Sequence, residues 1–446
     1  MKFAHLADCH IGAWRDPKLR AVSNKAFEIA IDKCIEEKVD FVLISGDLFN
    51  TSLPSIDSLR IAAAKFRELK DNDIPVYAIA GSHDFSPSGK TLIDVLESAG
   101  LLVNVVKGRI VESVTENNND DNNKTTGTTA SNSKLLLNFT VDKKTGAKIT
   151  GLLGKRGMLD RAYYEALDVS NLENEDGFKI FMFHTALTEL KPKDLEKMDS
   201  SPISFLPKGF EYYAGGHVHI VANVNLQDSG YKNVVYPGPL FPNNFTEIEK
   251  LKHGGFYIYD NGLLIFKEVK LHEAVCIELN CEHKTPQQVE QMLRERIDEL
   301  NKDSELNKTP GLNNAIVTIR LSGKLESGKV SEINFNEVFN LFYSYGPYFV
   351  MKNTNALETT QLTEITIDAS KPEEIEENLI NEHLGKIKVS AFESSGDETA
   401  MDERNNKERR ITHELLVSLG NERGEGEKVA DFESRVREEV MRVLDI

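Results

Sequence analysis

The chain has 446 residues, of which 40% are hydrophobic and 28% charged, and its formal net charge is -18. This length exceeds what one hydrophobic core supports and predicts about two or three domains. The acidic balance argues against sequence-independent binding of nucleic acid through bulk electrostatics, although a local basic groove is compatible with it.

Targeting and redox signals are weak. The N-terminal sequence MKFAHLADCHIG has no positively charged segment followed by a long apolar stretch, and no run of about 18 apolar residues occurs. We therefore expect a cytoplasmic protein with no membrane span. The cysteines, Cys9, Cys34, Cys276 and Cys281, are too scattered for a disulfide framework and are expected to be reduced core or strand residues.

The first 110 residues alternate between two patterns. KFAHLA, DFVLIS and IPVYAIA are typical of strands, whereas SNKAFEIAIDKCIEEK, SIDSLRIAAAKFRELKD and SGKTLIDVLESAG have apolar residues at helical spacing. This alternation predicts an α/β sheet with crossover helices. Residues 115–134 have almost no apolar content, which predicts a disordered surface loop inside a β-hairpin.

Later segments predict two further parts. Strand-like runs continue through KLLLNFTV, KIFMFH, FEYYAGG, NVVYPG and GGFYIYD, and after about residue 270 the order becomes strand, helix, strand, helix. We expect a first domain at 1–268, a small α+β domain at 269–368 and an acidic helical tail at 369–446. The tail is predicted to be interrupted by the loose stretch AFESSGDETAMDERNN.

Polar side chains follow five of the predicted strands, where each apolar run stops. They are Asp8 and His10, Asp47, the triplet Ser82, His83 and Asp84, His184, and the pair His217 and His219. If these strands form one sheet system, their carboxyl ends share an edge, and ligands of open α/β sheets bind at that edge. We therefore expect these side chains to converge.

The segment YYAGGHVHI contains two histidines one residue apart. In an extended chain His217 and His219 would project to the same side and could bind one ligand together. The alternative is a turn at a strand end with two solvated histidines, because so short a motif also occurs by chance.

The combined set of Asp and His suits a pair of divalent metal ions. Two cations about 3.5–4 Å apart need a bridging carboxylate, and such a pair can hold the attacking and leaving oxygens of a phosphate ester. Asp47 is the expected bridge. A mixed nitrogen and oxygen ligand set favours manganese, iron or zinc over magnesium.

The motifs DCH, GDLF, GSHD, a single His184 and GHVH resemble those of the calcineurin-like metallophosphoesterases. The segment ISGDLFNTSLPSIDSLRIAAAKFRELKDNDIPVYAIAGSHD is more similar to one branch, the meiotic recombination eleven and SbcD nucleases of double-strand break repair. The resemblance implies a β-sandwich flanked by helices, followed by a small capping domain and a helical tail.

The resemblance also implies roles for the site residues. One metal would be bound by Asp8, His10, His219 and the shared Asp47, and the second by Asp47, His184, His217 and Ser82. His83, oriented by Asp84, would protonate the leaving oxygen or stabilise the transition state. Ser82 stands where the family motif has asparagine, so we expect a weaker second site.

The implied function is a manganese-dependent DNA nuclease, acting as a 3'-5' exonuclease and a single-strand endonuclease at the nucleoid. The implied partners are DNA, a second copy of the chain, and an SbcC-type ABC ATPase with a coiled coil. Two alternatives remain open: a small-substrate phosphoesterase on the same site, and a non-catalytic repair scaffold.

Two sets of residues are candidates for contacts with these partners. The basic side chains expected near the DNA backbone are Arg15, Lys18, Arg20, Lys90, Lys155 and Arg156. Apolar residues at helical spacing in the tail are expected to bind the ATPase or to pack on the chain's own core; they are Ile411, Leu415, Leu419, Val429, Phe432, Val436, Val440 and Val443.

Overall fold

The computed structural model describes residues 1–86, 89–113, 132–307, 311–359, 380, 398–421 and 429–444. The chain divides into two compact units, Met1–Thr359 and Thr360–Ile446. None of the described helices combines the length and the apolar composition that a membrane span requires.

The described strands and helices are numbered here in chain order. The strands are β1 (Lys2–Leu6), β2 (Phe41–Ser45), β3 (Val76–Ile79), β4 (Val103–Asn104), β5 (Gly108–Ser113), β6 (Asn132–Leu137), β7 (Thr140–Val141), β8 (Lys148–Gly151), β9 (Lys179–His184), β10 (Tyr212–Gly216), β11 (Ala222–Leu226), β12 (Tyr231–Tyr236), β13 (Gly254–Asp260), β14 (Leu263–Val269), β15 (Ala274–Asn280), β16 (Ile316–Lys324) and β17 (Phe349–Glu358). The α-helices are α1 (Pro17–Glu36), α2 (Ile56–Asp71), α3 (Leu92–Ser98), α4 (Arg161–Glu165), α5 (Ser170–Glu173), α6 (Phe245–Leu251), α7 (Pro286–Asn307), α8 (Phe335–Ser344), α9 (Glu398–Leu419) and α10 (Val429–Leu444).

Two six-stranded sheets form the larger part of the first unit. The first has the order β14-β13-β1-β2-β3-β4 and the second β11-β12-β10-β9-β8-β7. Neighbours among β1, β2, β3 and β4 are parallel, whereas β13 pairs antiparallel with β1. The expectation of one sheet system is therefore wrong, because the strands that precede the Asp and His residues come from both sheets.

The two sheets pack face to face through alternate residues of their strands. In β2, Phe41 and Leu43 join the apolar cluster shared with the second sheet, while Val42 and Ile44 join the cluster that contains helices α1 and α2. Successive residues of a strand point to opposite faces, so a continuous apolar strand is buried on both sides. The result is a β-sandwich with helices outside it.

The helices covering the first sheet begin at residues that cap them. The Asp16 side chain accepts hydrogen bonds at the start of α1, and the Ser55 side chain does so at the start of α2. Thr91 and Asp94 form a reciprocal capping box at α3. These caps start the helices directly after the loops that carry the site residues.

The hairpin expected around residues 115–134 is present in its flanks. β5 and β6 pair antiparallel, from Gly108 with Leu137 to Ser113 with Asn132. Residues 132–134 of the predicted loop belong to β6, and the remainder, 115–131, lies outside the described residues.

A small three-stranded sheet follows, with the order β15-β16-β17. All three strands are parallel and are joined by α7 and α8, which is the connectivity of an α/β unit rather than the expected α+β one. The third strand, β17, was not predicted. Buried and exposed residues do not alternate regularly along β17, so its sequence lacks the two-residue apolar period that indicates a strand.

The second unit contains helices α9 and α10, which contact each other. The predicted loose stretch at 391–406 is partly wrong, because residues 398–406 belong to α9. Residues 391–397 lie outside the described residues. Helix α9 ends at Leu419 and is followed by Gly420 and Asn421, residue types that commonly follow the end of a helix.

We predict that Phe3→Ala lowers the free energy of unfolding by about 3–5 kcal/mol. Phe3 is fully buried between the sheets, with ring centroids 4.9 Å from Phe41 and 4.8 Å from Tyr259, so truncation leaves a cavity. Urea unfolding measures the change. Leu263→Ala is the control, since Leu263 is 69% exposed, and equal losses in both variants would contradict the prediction.

Candidate metal centre

The predicted site residues lie together at the carboxyl ends of strands from both sheets. The loops after β1, β2 and β3 carry Asp8, His10, Asp47, Ser82, His83 and Asp84, while β9 and the turn after β10 carry His184, His217 and His219. Because the sheets pack face to face, these loops meet at one end of the sandwich. The convergence predicted from the sequence is therefore present, although it needs two sheets.

Several of these residues have left-handed backbone conformations. The φ angles are 49° at Asp8, 41° at His10, 51° at Asp47, 97° at His217 and 54° at His219. Such angles are unfavourable for residues other than glycine and concentrate at functional sites. Loops that turn sharply in this way aim each side chain back across the end of the sandwich.

The expectation of an extended H-x-H segment is wrong. Strand β10 ends at Gly216, so both histidines lie in the turn that follows it. They consequently face different partners: His219 groups with Asp8 and His10, whereas His217 groups with Asp47 and His184.

Three overlapping groups have the geometry of metal ligands. They are Asp8, His10 and His219; His10, Asp47 and His83; and Asp47, His184 and His217, each with ligand atoms within 4.8 Å of one another. Asp47 belongs to two groups, and its Oδ2 lies 3.7 Å from Nε2 of His10 and 3.2 Å from Nε2 of His184. It therefore has the position of the bridging carboxylate.

Two histidine contacts bring imidazole nitrogens close together within the site. Nδ1 of His184 lies 2.8 Å from the Ser45 carbonyl oxygen, which directs Nε2 toward Asp47, yet this Nε2 has no hydrogen-bond partner among the described residues. Nε2 of His10 and Nε2 of His219 face each other at 3.0 Å. Imidazole is a common ligand of divalent metal ions, so nitrogens clustered in this way beside Asp47 could bind one.

Glu247 is a residue of this site that the sequence analysis missed. Its Oε1 lies 3.0 Å from Nδ1 of His219, on the side of the ring away from His10. A carboxylate in this position fixes the tautomer of a metal-binding histidine. The only signal in the sequence is the capping pattern Asn244-x-x-Glu247, which is common at helix starts and indicates no site.

His83 is held differently from the prediction. Its Nδ1 lies 2.8 Å from the Asn50 carbonyl oxygen, and because a carbonyl only accepts, Nδ1 carries the proton. The Asp84 carboxylate instead accepts hydrogen bonds from the backbone N–H groups of Gly81, Leu48 and Phe49. Asp84 thus ties two of the site loops together, and the Asn50 carbonyl orients the His83 ring.

Ser82 is buried beside the shared carboxylate. Its hydroxyl donates to Oδ2 of Asp47 at 3.3 Å, and the backbone N–H of the next residue, His83, donates to Oδ1 at 2.7 Å. Ser82 and the His83 backbone therefore help to fix the orientation of the Asp47 carboxylate.

The ionisation of the buried groups is mutually dependent. Burial opposes ionisation of Asp47, but the charge of His184 outweighs it and holds the Asp47 pKa well below its usual range. Burial likewise lowers the pKa of His184, yet the charges of Asp47 and Asp8 raise it to about 10. Burial, together with the negative charge of Asp47, raises the pKa of Asp84 to about 7. Burial also lowers the pKa of His217 to about 3. Because Asp8 and Asp47 are both buried here, a divalent cation bound between them would relieve the repulsion between the two carboxylates.

The six predicted basic residues occupy different surroundings. Nη2 of Arg156 lies 3.4 Å from Nδ1 of His83, and Lys155 lies over the rings of Phe85 and Tyr163. Lys18 lies near the Tyr348 and Tyr343 rings of the small domain. Arg20 donates to the carbonyl groups of Trp14 and Arg15, and the side chains of Arg15 and Lys90 are exposed. Of the six, Arg156 directly contacts a site residue.

We predict that Gly81→Ala weakens divalent metal binding by at least about tenfold. A Cβ at Gly81 would lie 2.3 Å from both the backbone nitrogen and Oδ1 of Asp47, which forces the shared carboxylate to move. Calorimetric titration with Mn²⁺ measures the change. Gly146→Ala is the control for backbone strain away from the site, because Gly146 has a left-handed φ of 75° and a Cβ there meets no described atom within 4 Å. Unchanged affinity in Gly81→Ala, or an equal loss in Gly146→Ala, would contradict the prediction.

Comparison with known proteins agrees with this geometry. The profile of the calcineurin-like phosphoesterases matches residues 1–221. The chain is 28% identical over 302 residues to "DNA double-strand break repair protein Mre11" of Archaeoglobus fulgidus, covering 63% of this chain and 62% of the relative. It is 31% identical over 270 residues to the protein of the same name from Methanocaldococcus jannaschii, covering 58% and 62%.

A more distant relative aligns over nearly the whole chain. "DNA double-strand break repair protein Mre11" of Sulfurisphaera tokodaii is 25% identical over 93% of this chain and 96% of its own length. Among solved structures, a dimetal phosphatase from Danio rerio matches with a TM-score of 0.32 and 10% identity, over 60% of this chain and 95% of its own.

The first two archaeal relatives are each matched over somewhat less than two thirds of their length. The family profile ends at residue 221, just beyond His219, so it includes every predicted site residue from Asp8 to His219. Residues 1–221 of this chain are therefore similar to the calcineurin-like phosphoesterases over the whole of the predicted site.

Proposed function

We propose that this chain is a metal-dependent DNA nuclease of double-strand break repair. The observation that carries the proposal is the convergence of three overlapping Asp and His groups around Asp47 at one end of the sandwich. The DNA substrate and the repair role rest on the similarity to archaeal proteins with that name. We propose that residues 1–268 form the nuclease domain, that residues 269–368 form a capping domain that faces DNA, and that residues 369–446 form a tail that binds a partner.

Two divalent metal ions would be held by the residues described above. Asp8, His10 and His219 would bind one, His184 and His217 the other, and Asp47 both. What such a pair supplies is neutralisation of the charge on a phosphodiester and activation of the attacking water. Manganese is the proposed ion, because the ligand set mixes imidazole with carboxylate.

The chain's own contribution to bond cleavage would come from His83. The Asn50 carbonyl holds the proton on Nδ1, so Nε2 is the nitrogen that can take up a proton and deliver it to the leaving oxygen. Arg156, 3.4 Å from the same ring, can bind a phosphate oxygen beside it. The two side chains would thus act on one phosphodiester.

A small-substrate phosphoesterase is the second candidate for the same site. The additional domain at 269–368 favours a polymeric substrate, because Lys18, beside the first site loop, lies at the Tyr343 and Tyr348 rings of that domain. An extended substrate could follow this surface, whereas a small ester would not need it.

We predict that purified protein degrades end-labelled duplex DNA with Mn²⁺ and stops when a chelator is added. His83→Ala should reduce the rate about 10²–10⁴-fold, because it removes the proposed general acid, while two Mn²⁺ ions still bind. His283→Ala is the matched control, since His283 lies in the small domain and its side chain is 82% exposed. Turnover of p-nitrophenyl phosphate without cleavage of DNA would favour the small-substrate alternative.

We predict that Mn²⁺ titration of the natural chain shows two unequal binding steps. The Ser82 hydroxyl donates to Asp47, and a neutral hydroxyl is a weaker metal ligand than an amide carbonyl. Ser82→Asn should tighten the weaker step, and His217→Ala should abolish it. Two equal steps, or no gain from asparagine, would leave the serine without the proposed effect.

Two protein partners belong to the same proposal. A second copy of the chain would pack through α2 and α3, where Ile56 is 86% and Val95 54% exposed. An SbcC-type ABC ATPase would bind the tail through the apolar residues of α9 and α10. Leu419 is 64% exposed, and Phe432, Val436, Val440 and Val443 are half-buried, so part of this surface is open to a partner.

We predict that Leu419→Asp reduces co-purification with such an ATPase by at least about tenfold, as expected for a charge placed in an apolar interface. Because Leu419 is already exposed, the melting temperature should change little. Truncation after Thr359 should abolish binding. Undiminished binding by the truncated chain would show that the tail is not the docking segment.

A further inference from the structure

Helix α6 lies between the proposed metal site and the small domain. It follows β12 and packs against β15 and β16. Two of its glutamates, Glu247 and Glu249, are two residues apart, so they point in different directions around the helix. Glu247 faces His219, and Glu249 faces Arg320 of β16.

The Glu247 carboxylate is held on several sides. Its Oε1 lies 3.0 Å from Nδ1 of His219 and accepts from Nδ2 of Asn244 at 2.5 Å. Its Oε2 accepts from the backbone N–H of Asn243 at 2.8 Å. The carboxylate is therefore held at the first turn of α6 and links the His219 ring to that turn.

Arg320 fixes the other side of the same helix. Its Nε and Nη2 donate to the Glu249 carboxylate at 3.0 Å and 2.6 Å, and Nη2 also lies 3.3 Å from Oγ1 of Thr246. The guanidinium group stacks over the Phe245 ring at 5.1 Å. Arg320 lies on β16, the central strand of the small sheet, so it moves with that domain. A planar, two-point contact of this kind fixes orientation as well as distance.

We propose that Glu247 is a positioning residue for His219, and that the Arg320–Glu249 ion pair couples the small domain to the metal site through α6. Through this coupling the placement of the small domain sets how well His219 is aimed at the cation it shares with Asp8 and His10. The inference rests on the proposed metal site. It adds that residues which are not metal ligands influence the metal affinity of that site.

The test is Mn²⁺ titration of the full chain by calorimetry, with each binding step resolved. Glu247→Ala should weaken the step assigned to Asp8, His10 and His219 about 10–100-fold, and Glu247→Gln less, because its amide oxygen can still accept from Nδ1. Arg320→Ala should weaken the same step by about tenfold or less, since it removes only the coupling. The step assigned to His184 and His217 should not change.

Two variants separate coupling from loss of structure. The double variant Glu249→Arg with Arg320→Glu restores the ion pair with reversed sign and should recover the affinity lost in Arg320→Ala. Arg294→Ala breaks an ion pair with Glu337 in the same domain, 2.7 Å long, and should leave both steps unchanged.

The outcomes distinguish this inference from the function on which it rests. A natural chain that binds no Mn²⁺ overturns the proposed metal site and the coupling with it. Two bound Mn²⁺ ions with affinities unaffected by Arg320→Ala overturn the coupling alone. Equal weakening by Arg294→Ala and Arg320→Ala also overturns it, because the effect would then follow from general destabilisation of the small domain.

Discussion

The buried carboxylate of Asp47 is the contact on which the architecture of the site depends. It lies at the end of β2, in the middle of the first sheet, and Nε2 of His184 from the second sheet approaches it to 3.2 Å. Each sheet alone carries an incomplete set of ligands. The aromatic core that packs the sheets together, with Phe3 at its centre, therefore also sets the distance between the two halves of the site.

This dependence explains why the loops contain so much unfavourable backbone geometry. Left-handed φ angles at Asp8, His10 and Asp47 cost energy that the fold must offset elsewhere. Close approach requires small residues beside them, as at Gly81, where a Cβ would collide with Asp47. The buried strands of the two sheets anchor these loops. The backbone strain therefore lies in the loops, where the site side chains converge, and not in the strands.

Much of the site could be predicted from the sequence because strand ends and polar residues coincide. Asp8, Asp47 and His184 each lie at or just after the end of a largely apolar strand, and that pattern is local. The prediction that His217 and His219 point to the same side was wrong because it depended on an extended backbone. Both residues follow the end of β10, where the two-residue period of a strand no longer applies. The Asn50 carbonyl that orients His83 and the Glu247 carboxylate that holds His219 could not be predicted, since neither a backbone oxygen nor a capping glutamate indicates its distant partner.

The central claim is that Asp47 is shared by two divalent cations, and anomalous diffraction from crystals grown with Mn²⁺ tests it most directly. We expect two anomalous peaks about 3.5–4 Å apart, one beside Asp8, His10 and His219 and the other beside His184 and His217, with Asp47 between them. A single peak, or two peaks that do not both contact Asp47, would contradict it.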